Sequence, residues 1–294
     1  AQKAGASPTA WLARPAVVLA VALAAGASWT AALSRPDGLL HIRMLDVGQG
    51  DSILVEAPGG QRLLVDGGPE PSRVLDALGR LWSPWDRRID AVVLTHPDAD
   101  HVAGLPAVAD RYRIGFGLEP GLRGGAEARA WREAMERGGA RTRHVSAGAR
   151  LVLDPDRGVS VDAVWPEPGF QGEGTNDHSV VLRVSYGRIS TLLTGDIASG
   201  VEAALARVPG GIRSQVLKAA HHGSATSTTD GFLRAVAPTV VLISAGSGNA
   251  HGHPAEEVLE RLGGRLVLRT DLHGGVDVMT DGLRVWVRAE RPEP

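Results

Sequence analysis

Short apolar runs joined by glycine-rich turns, with helical stretches between them, extend from residue 38 to the end of this 294-residue chain. Runs such as "SILVEA", "AVVLTH" and "TVVLISAG" predict β-strands, and helices are predicted at about residues 71–82, 126–137, 197–207 and 254–263. This interleaving predicts α/β layers in which helices cover the faces of sheets. The length suits one large domain or two small ones.

The composition limits the chemistry that the chain can use. There is no cysteine, which excludes disulfide partners and thiolate ligands, so a metal must be held by His, Asp or Glu. With a net charge of −2, no strongly basic face can be assumed, so nucleic-acid binding is not implied by charge alone. The arginine-rich stretch 122–144 could contact a phosphate backbone, or it could be a solvated helix with Glu–Arg pairs.

The beginning of the chain differs from the rest. Residues 15–33 carry no charge and lie between Arg14 and Arg35, and a membrane-spanning helix needs roughly 20 mainly apolar residues. We expect the last transmembrane helix of a larger membrane protein here; a signal peptide and a buried helix are the alternatives. The expected organisation is a membrane-proximal or transmembrane segment and linker at 1–37 and a globular domain at 38–294.

One segment, "VVLTHPDADHVAGL", crowds four metal-ligating side chains directly behind an apolar run. In an extended turn His96, Asp98 and Asp100 point to the same side, and a turn into a following helix brings His101 round. Imidazole and carboxylate ligands suit zinc, manganese or iron. A polar loop is the alternative for this segment taken alone.

Ligand-type residues recur where other apolar strands end. Asp66 follows one strand in "LLVDGG", Asp196 follows another in "TLLTGDI", and His221 and His222 follow a third in "KAAHHGS". Sites in α/β proteins are assembled at the ends of strands. The sequence therefore predicts a site for two metal ions.

The motifs and their order resemble the metallo-β-lactamase superfamily. A strand followed by "DGG" precedes "HPDADHVAGL", and "TGD" and "HHGS" come later. "LDVGQGDS", "LKAAHHGSATS" and "HGHP" look more narrowly like the C-terminal domain of the ComEC family of DNA-uptake channel proteins, over essentially all of residues 40–290. The resemblance implies a four-layer αββα sandwich with the metal site at one edge, between the sheets.

The resemblance also implies ligand roles. His96 and Asp98 would bind one metal, Asp100 and His101 the other, and Asp196 would bridge the two.

Three further positions follow from the same resemblance. His222 would complete the second metal, with His221 nearby as a candidate proton donor; which of the two coordinates stays open. Asp66 would orient the metal-binding loop.

The chain departs from the superfamily pattern at two places. The superfamily's second histidine is Asp98 here, which adds negative charge to the first metal position. The superfamily's separate third histidine has no clear equivalent, and Asn176, Asp177 and His178 are the candidates; ComEC-like relatives usually carry Asn in this region.

The implied chemistry is a phosphodiester displacement. Two metals can hold a hydroxide and clamp two oxygens of the ester, and a carboxylate-rich shell favours phosphate esters and shifts the preference from zinc toward manganese. Asp100 would orient the water. Lys218, His221 and His253 are candidates to stabilise phosphate charge or to protonate the leaving oxygen.

Each of these positions has a structural alternative. Only Lys3 and Lys218 among the 31 basic residues are lysine. Lys218 therefore either has a chemical role that arginine cannot fill, or it is one remaining surface lysine. His253 could be a loop histidine beside Pro254. Ser224 could bind phosphate or cap the next element, and "DVGQGDS" is interpreted as a glycine-rich turn under the site.

Together these features predict a metal-dependent nuclease or phosphodiesterase with two divalent ions, Mn²⁺ or Zn²⁺, as cofactors. The resemblance implies DNA as substrate, degradation of the non-transported strand, and a membrane channel portion of the same protein as partner. The domain would lie on the extracytoplasmic side of a bacterial cell membrane. Two alternatives stay open: a secreted or membrane-anchored small-molecule hydrolase of phosphodiesterase or lactonase type, and a non-catalytic DNA-docking domain.

Overall fold

A computed structural model of the chain describes residues 17, 18, 21, 36–122, 124–172, 174–208 and 211–292. The chain divides between Asp37 and Gly38, and the elements below belong to the second unit. Nearly all of the segment 15–33, expected to span a membrane, lies outside the described residues. Among the described residues no helix combines the length and apolar character needed to cross a membrane.

The described part of the domain contains fifteen strands in two mixed sheets. In chain order these are β1 (Leu40–Met44), β2 (Ile53–Glu56), β3 (Arg62–Val65), β4 (Arg88–Val93), β5 (Arg113–Glu119), β6 (Thr142–His144), β7 (Arg150–Asp154), β8 (Val159–Trp165), β9 (Val181–Tyr186), β10 (Ile189–Leu193), β11 (Val216–Lys218), β12 (Val240–Ile243), β13 (Leu266–Arg269), β14 (Val276–Thr280) and β15 (Val285–Ala289). The first sheet has the order β15-β14-β1-β2-β3-β4-β5-β6, and the second has the order β13-β12-β11-β10-β9-β8-β7.

Helices cover the outer face of each sheet. In chain order they are α1 (Pro71–Leu81), α2 (Ala99–Val102), α3 (Leu105–Arg111), α4 (Ala126–Arg137), α5 (Ser199–Ala206), α6 (Asp230–Val236), α7 (Glu256–Arg261) and α8 (Thr270–His273), with 3₁₀ turns at Asn176–His178 and Ala220–Gly223. The four predicted helices are confirmed as α1, α4, α5 and α7, with ends shifted by two residues at most. The helix expected to follow the metal motif is present as α2 and α3, although its bounds were not predicted, and α6 and α8 were not predicted.

Three apolar clusters hold these layers together. One lies between the sheets and includes Ile42 and Val55 of the first sheet and Leu182 of the second. A second packs α1, α3 and α4 on the first sheet, and a third packs α5, α6 and α7 on the second. The layers therefore run helix, sheet, sheet, helix, and the predicted αββα sandwich is confirmed.

The strand pairing places the metal-ligand motifs at one edge. Strand β3 is parallel to β4, with Val65 opposite Val93, and β10 is parallel to β11, with Leu192 opposite Leu217. Since the carboxyl ends of parallel strands meet at the same edge, the segments that follow these four strands come together. A hydrogen bond of 2.6 Å from Ser244 Oγ to the Gly50 carbonyl joins the two sheets there.

The arginine-rich stretch is part of the fold. Helix α4 buries Ala128, Trp131, Ala134 and Met135 on one face while its arginine side stays outside, and β6 pairs with β5 as the edge strand of the first sheet. The stretch therefore forms a packed helix and an edge strand of the domain, and only the outer face of the helix is solvated.

Replacing Trp131 by alanine should destabilise the protein by about 3–5 kcal/mol, because the fully buried indole leaves a cavity under α4. The free energy of unfolding in urea measures this loss. Arg129→Ala, at an exposed position of the same helix, is the control and should change stability by no more than about 0.5 kcal/mol. A loss of under 1 kcal/mol for Trp131→Ala would contradict this packing.

Candidate metal centre

Three buried histidines in the segments that follow β4 and β11 are each anchored through one ring nitrogen. His101 Nδ1 lies 2.8 Å from Asp66 Oδ2, and His222 Nδ1 lies 2.9 Å from the Ser244 carbonyl oxygen. Both acceptors lack a proton to give, so each Nδ1 carries the hydrogen and donates it. Nε2 of each ring is then the atom that faces the cluster, where it can hold a proton or a metal ion.

His96 is anchored in the same way. Its Nδ1 lies 3.0 Å from Thr95 Oγ1 and 3.3 Å from Ser179 Oγ. Because the Thr95 hydroxyl donates to Asp66 Oδ2 at 2.7 Å, it accepts the proton of His96 Nδ1. A metal-binding histidine usually donates a hydrogen bond from the N–H of its second ring nitrogen to a neighbouring acceptor.

Asp66 fixes the turn that carries two of these rings. Its backbone has a φ of 61°, which is uncommon for a residue other than glycine. Oδ1 accepts the Thr95 N–H at 2.8 Å, and Oδ2 accepts from Thr95 Oγ1 and His101. These are the contacts that an orienting carboxylate makes.

Carboxylate oxygens face the free ring nitrogens. Asp196 Oδ2 lies 3.3 Å from His101 Nε2 and 3.2 Å from His222 Nε2, and Asp100 Oδ2 lies 3.3 Å from His222 Nε2. The ligand atoms of these four residues all lie within 4.8 Å of one another. The structure thus brings together the set predicted for the second metal.

The donor set fits a divalent metal. Among the described residues, Nε2 of His96, His101 and His222 is buried and has no hydrogen-bond partner, and a ring nitrogen that lies 3.2–3.3 Å from a carboxylate oxygen needs a proton or a metal ion between the two atoms. With bonds of about 2.0–2.1 Å, neighbouring ligand atoms of a tetrahedral zinc site are about 3.3 Å apart, which agrees with these distances.

The electrostatics of the cluster favour a cation. Burial alone would lower the pKa of His101 and His222, but the charge of Asp196 and the neighbouring carboxylates raise the pKa of both well above the usual value. Burial would raise the pKa of Asp196, yet His222, His101 and Lys218 hold that pKa well below its usual value. A field that stabilises a proton on imidazole also stabilises a metal ion at the same place.

The residues of the first metal position lie beside this cluster. His96 Nε2 is 3.7 Å from Asp98 Oδ2, whose side chain is 40% exposed, and the His96 ring lies 4.1 Å from that of His101. Burial, with the charge of His101, lowers the pKa of His96 to about 3, so this ring is neutral and can act as a ligand. The first position is therefore more open than the second.

The segment Asn176–His178 contains the candidates for the superfamily's third histidine. Its His178 ring does not face the metal centre. The His178 ring bonds within its own loop, with Nδ1 2.9 Å from the Gly174 carbonyl oxygen and Nε2 accepting the Gly172 N–H at 3.3 Å. The Asp177 carbonyl accepts from Trp165, and the Asn176 carbonyl accepts the Ser179 N–H.

Ser179 is the residue of this segment that reaches the centre. Its fully buried hydroxyl contacts His96 Nδ1 and accepts the Asp196 N–H at 3.1 Å. Ser179 was not predicted, because serine is a weaker metal ligand than the Asn, Asp and His that precede it.

Two charged residues lie behind the cluster. Lys218 is fully buried, and its Nζ lies 2.5 Å from Asp51 Oδ2 and 3.3 Å from Asp196 Oδ1. A side chain without exposed surface does not reach a substrate, so the structure supports an organising contact for Lys218 more than contact with phosphate. Asp51 belongs to "DVGQGDS", where an aspartate between glycine and serine resembles an ordinary turn residue and was missed.

Histidines form the mouth of the site. The His221 side chain is 30% exposed, with Nε2 3.9 Å from Asp196 Oδ2, and its ring lies 5.6 Å from that of His253. Asn249 holds the His253 loop: its Oδ1 accepts the N–H groups of His251 and His253 at 3.2 and 3.0 Å. Ser224, in contrast, bonds to Thr226 within its own turn.

The segment from His96 to Gly104, called the metal loop below, packs backbone against backbone on the turn that follows β3. A Cβ added to Gly104 would lie 2.0 Å from the Gly67 carbonyl oxygen. We expect Gly104→Ala to destabilise the protein by about 1–3 kcal/mol and to weaken metal binding, although it removes no polar group. Unfolding in urea and metal analysis check this expectation.

Gly79→Ala is the matched control, because nothing lies within 4 Å of a Cβ at that helical position. It should be neutral or stabilising by up to about 1 kcal/mol. Equal behaviour of the two variants would contradict the close packing at Gly104.

Comparisons with solved structures identify the fold. The metallo-beta-lactamase fold protein YhfI from Bacillus subtilis superposes with a TM-score of 0.53 at 12% identity, covering 84% of this chain and 99% of YhfI. Igni18, a metallo hydrolase from Ignicoccus hospitalis, superposes with a TM-score of 0.51 at 13% identity, covering 82% and 98%.

Sequence comparisons give nearer relatives. The chain is 31% identical to ComE operon protein 3 of Bacillus subtilis over 80% of its own length and 32% of the relative's. It is 34% identical to competence protein ComA of Neisseria gonorrhoeae over 87% of its length and 34% of that protein. The chain thus spans about a third of these relatives. Residues 45–247 match the family model of the metallo-beta-lactamase superfamily, and with the αββα fold and the His/Asp cluster this shows that the chain belongs to that superfamily.

Proposed function

We propose that this chain contains the metal-dependent nuclease domain of a bacterial DNA-uptake protein. The observation that carries the proposal is the buried cluster of Asp100, His101, Asp196 and His222, with His96 and Asp98 beside it, in a chain similar to two competence proteins. The domain would degrade the DNA strand that is not transported. Its partner would be a membrane channel portion of the same protein, with the domain on the extracytoplasmic side.

The donor set supports two divalent ions: Asp100, His101 and His222 would hold one, His96 and Asp98 would hold the other, and Asp196 would be shared. When bound, such ions supply Lewis-acid charge for the phosphate and lower the pKa of a water molecule. The carboxylates at Asp98 and Asp100, together with the missing third histidine, favour Mn²⁺ over Zn²⁺.

The chain's own residues would orient the reactants. Asp100 is about one-third exposed, and contacts with His222 and the charge of His101 outweigh burial and hold its pKa below the usual value. It is therefore an ionised acceptor at the open side of the cluster, placed to orient the attacking water. Because a lowered pKa makes the carboxylate a weak base, the role that this position supports is to accept a hydrogen bond from the water and orient it.

His221 and His253 would contact the phosphate from the mouth. Burial lowers the pKa of both rings, so they are neutral near pH 7. Each neutral ring keeps one N–H, which it can donate to a phosphate oxygen or to the leaving oxygen. This arrangement favours stabilisation of phosphate charge as their main role.

A panel of substrates tests the proposal. The chain, stripped with chelator and reloaded with Mn²⁺ or Zn²⁺, is incubated with end-labelled single- and double-stranded DNA, bis(p-nitrophenyl) phosphate and a simple lactone. We expect metal-dependent degradation of DNA that is lost in Asp100→Asn.

The other outcomes contradict the nuclease. Turnover of the small phosphodiester or the lactone without DNA cleavage would identify a small-molecule hydrolase. Binding of DNA without any turnover would identify a docking domain.

A further inference from the structure

The loop between β1 and β2 contacts the metal loop through Asp51. The Asp51 N–H donates to the Asp100 carbonyl at 3.2 Å, and its own carbonyl accepts the Gly68 N–H at 2.8 Å. The side chain is 2% exposed, and Oδ2 lies 2.5 Å from Lys218 Nζ. Asp51 is thus tied to the metal loop by its backbone and to the second sheet by its carboxylate.

Lys218 has an oxygen partner for each of its three N–H bonds. Nζ donates to the Gly195 carbonyl at 2.9 Å, to Asp196 Oδ1 at 3.3 Å and to Asp51 Oδ2. A buried ammonium costs much free energy unless it is paired and hydrogen-bonded, and here it is fully paired between two carboxylates. The contact to Gly195 and the contact to Asp196 both fix the end of strand β10.

The two oxygens of Asp196 are therefore in different surroundings. Oδ1 is occupied by Lys218, while Oδ2 faces His101 and His222. We propose that Lys218 and Asp51 are positioning residues that make Asp196 present Oδ2 alone to the metal ions. A shared single oxygen leaves both metal positions usable, whereas a freed carboxylate could chelate one ion with both oxygens.

The same contacts explain a second carboxylate-rich group, formed by Asp51, Asp66 and His101. Asp66 Oδ2 and His101 Nδ1 bond to each other there, and Asp51 Oδ2 bonds to Lys218. The Lys218 ammonium supplies the positive charge of this group.

The test is the double variant Lys218→Met with Asp51→Asn. Loss of Lys218 alone would remove a positive charge beside the metals and would by itself favour cations; the double variant removes one charge of each sign. Dialysis against fixed free Mn²⁺, with metal analysis and electron paramagnetic resonance of the bound ions, reports the number and coupling of ions. We expect at least about tenfold weaker binding of the second ion and loss of the coupled Mn²⁺ signal.

The matched control is Arg62→Met with Asp86→Asn, which removes an ion pair of 2.8 Å near the opposite end of β4. It should lower the melting temperature without changing the metal count. Two coupled ions of unchanged affinity in the Lys218/Asp51 variant would overturn the inference.

The inference rests on the proposed two-ion centre. The number of ions bound by the wild-type protein tests that centre separately from the roles of Lys218 and Asp51. Fewer than two ions in wild type would refute that centre itself. If the double variant does not fold, a crystal structure of the zinc-loaded wild type decides: Oδ1 still on Lys218 supports the inference, and both oxygens on metal overturn it.

Discussion

Asp196→Asn is expected to reduce phosphodiester hydrolysis by about 10³-fold, because charge stabilisation by bound metal is worth several kcal/mol and each 1.36 kcal/mol is a factor of ten. The substitution keeps the shape of the side chain and removes the negative charge that faces His101 and His222. The same variant should bind less metal. Steady-state hydrolysis of bis(p-nitrophenyl) phosphate and metal analysis after dialysis measure the two effects.

Asp86→Asn is the matched control, since Asp86 pairs with Arg62 near the opposite end of β4. It should retain the metal content and the activity of the wild type. Full metal content and full activity in Asp196→Asn would contradict the assignment of Asp196 to the shared position.

The two adjacent histidines should separate metal binding from catalysis. His222→Asn should weaken binding of the second ion by at least about 100-fold, more than loss of an outer contact would, because His222 Nε2 is a buried member of the cluster. His221→Asn should keep the metal content and lower kcat by about 10²-fold, the effect of losing a positioned donor. Metal analysis and steady-state kinetics on both variants check this.

Asparagine suits both positions, because φ is 51° at His221 and 54° at His222, and Asn tolerates this left-handed region better than most residues. Loss of metal from His221→Asn, with metal retained in His222→Asn, would exchange the two roles. Unchanged kcat in His221→Asn would remove His221 from the mechanism.

The fold could be predicted because its signals are local. The apolar runs of β3, β4, β10 and β11 and the periodicity of α1 and α4 are each contained in a single stretch of sequence. A helix was expected after the metal motif, but the bounds of α3 could not be predicted, because "GLPAVADR" is short and follows directly on that motif. Residues 1–37 stay a prediction, since nearly all of them lie outside the described part.

The site could be predicted as far as its ligand types recur at strand ends. His101, Asp100, Asp196 and His222 meet, as the family pattern implied. Partners defined by long-range contact could not be predicted: Asp51 reaches Lys218, and Ser179 reaches His96. These contacts join segments far apart in the sequence, and each partner is a residue type that is also common in ordinary turns.

Metal titration of the stripped chain tests the central claim most directly. Mn²⁺ is added to the 294-residue chain while bound ions and hydrolysis of bis(p-nitrophenyl) phosphate are followed together. A two-ion centre predicts no hydrolysis without metal, two ions bound at saturation, and activity that rises with the second ion. Full hydrolysis in excess chelator, or a folded chain that binds no Mn²⁺ and no Zn²⁺, would contradict it.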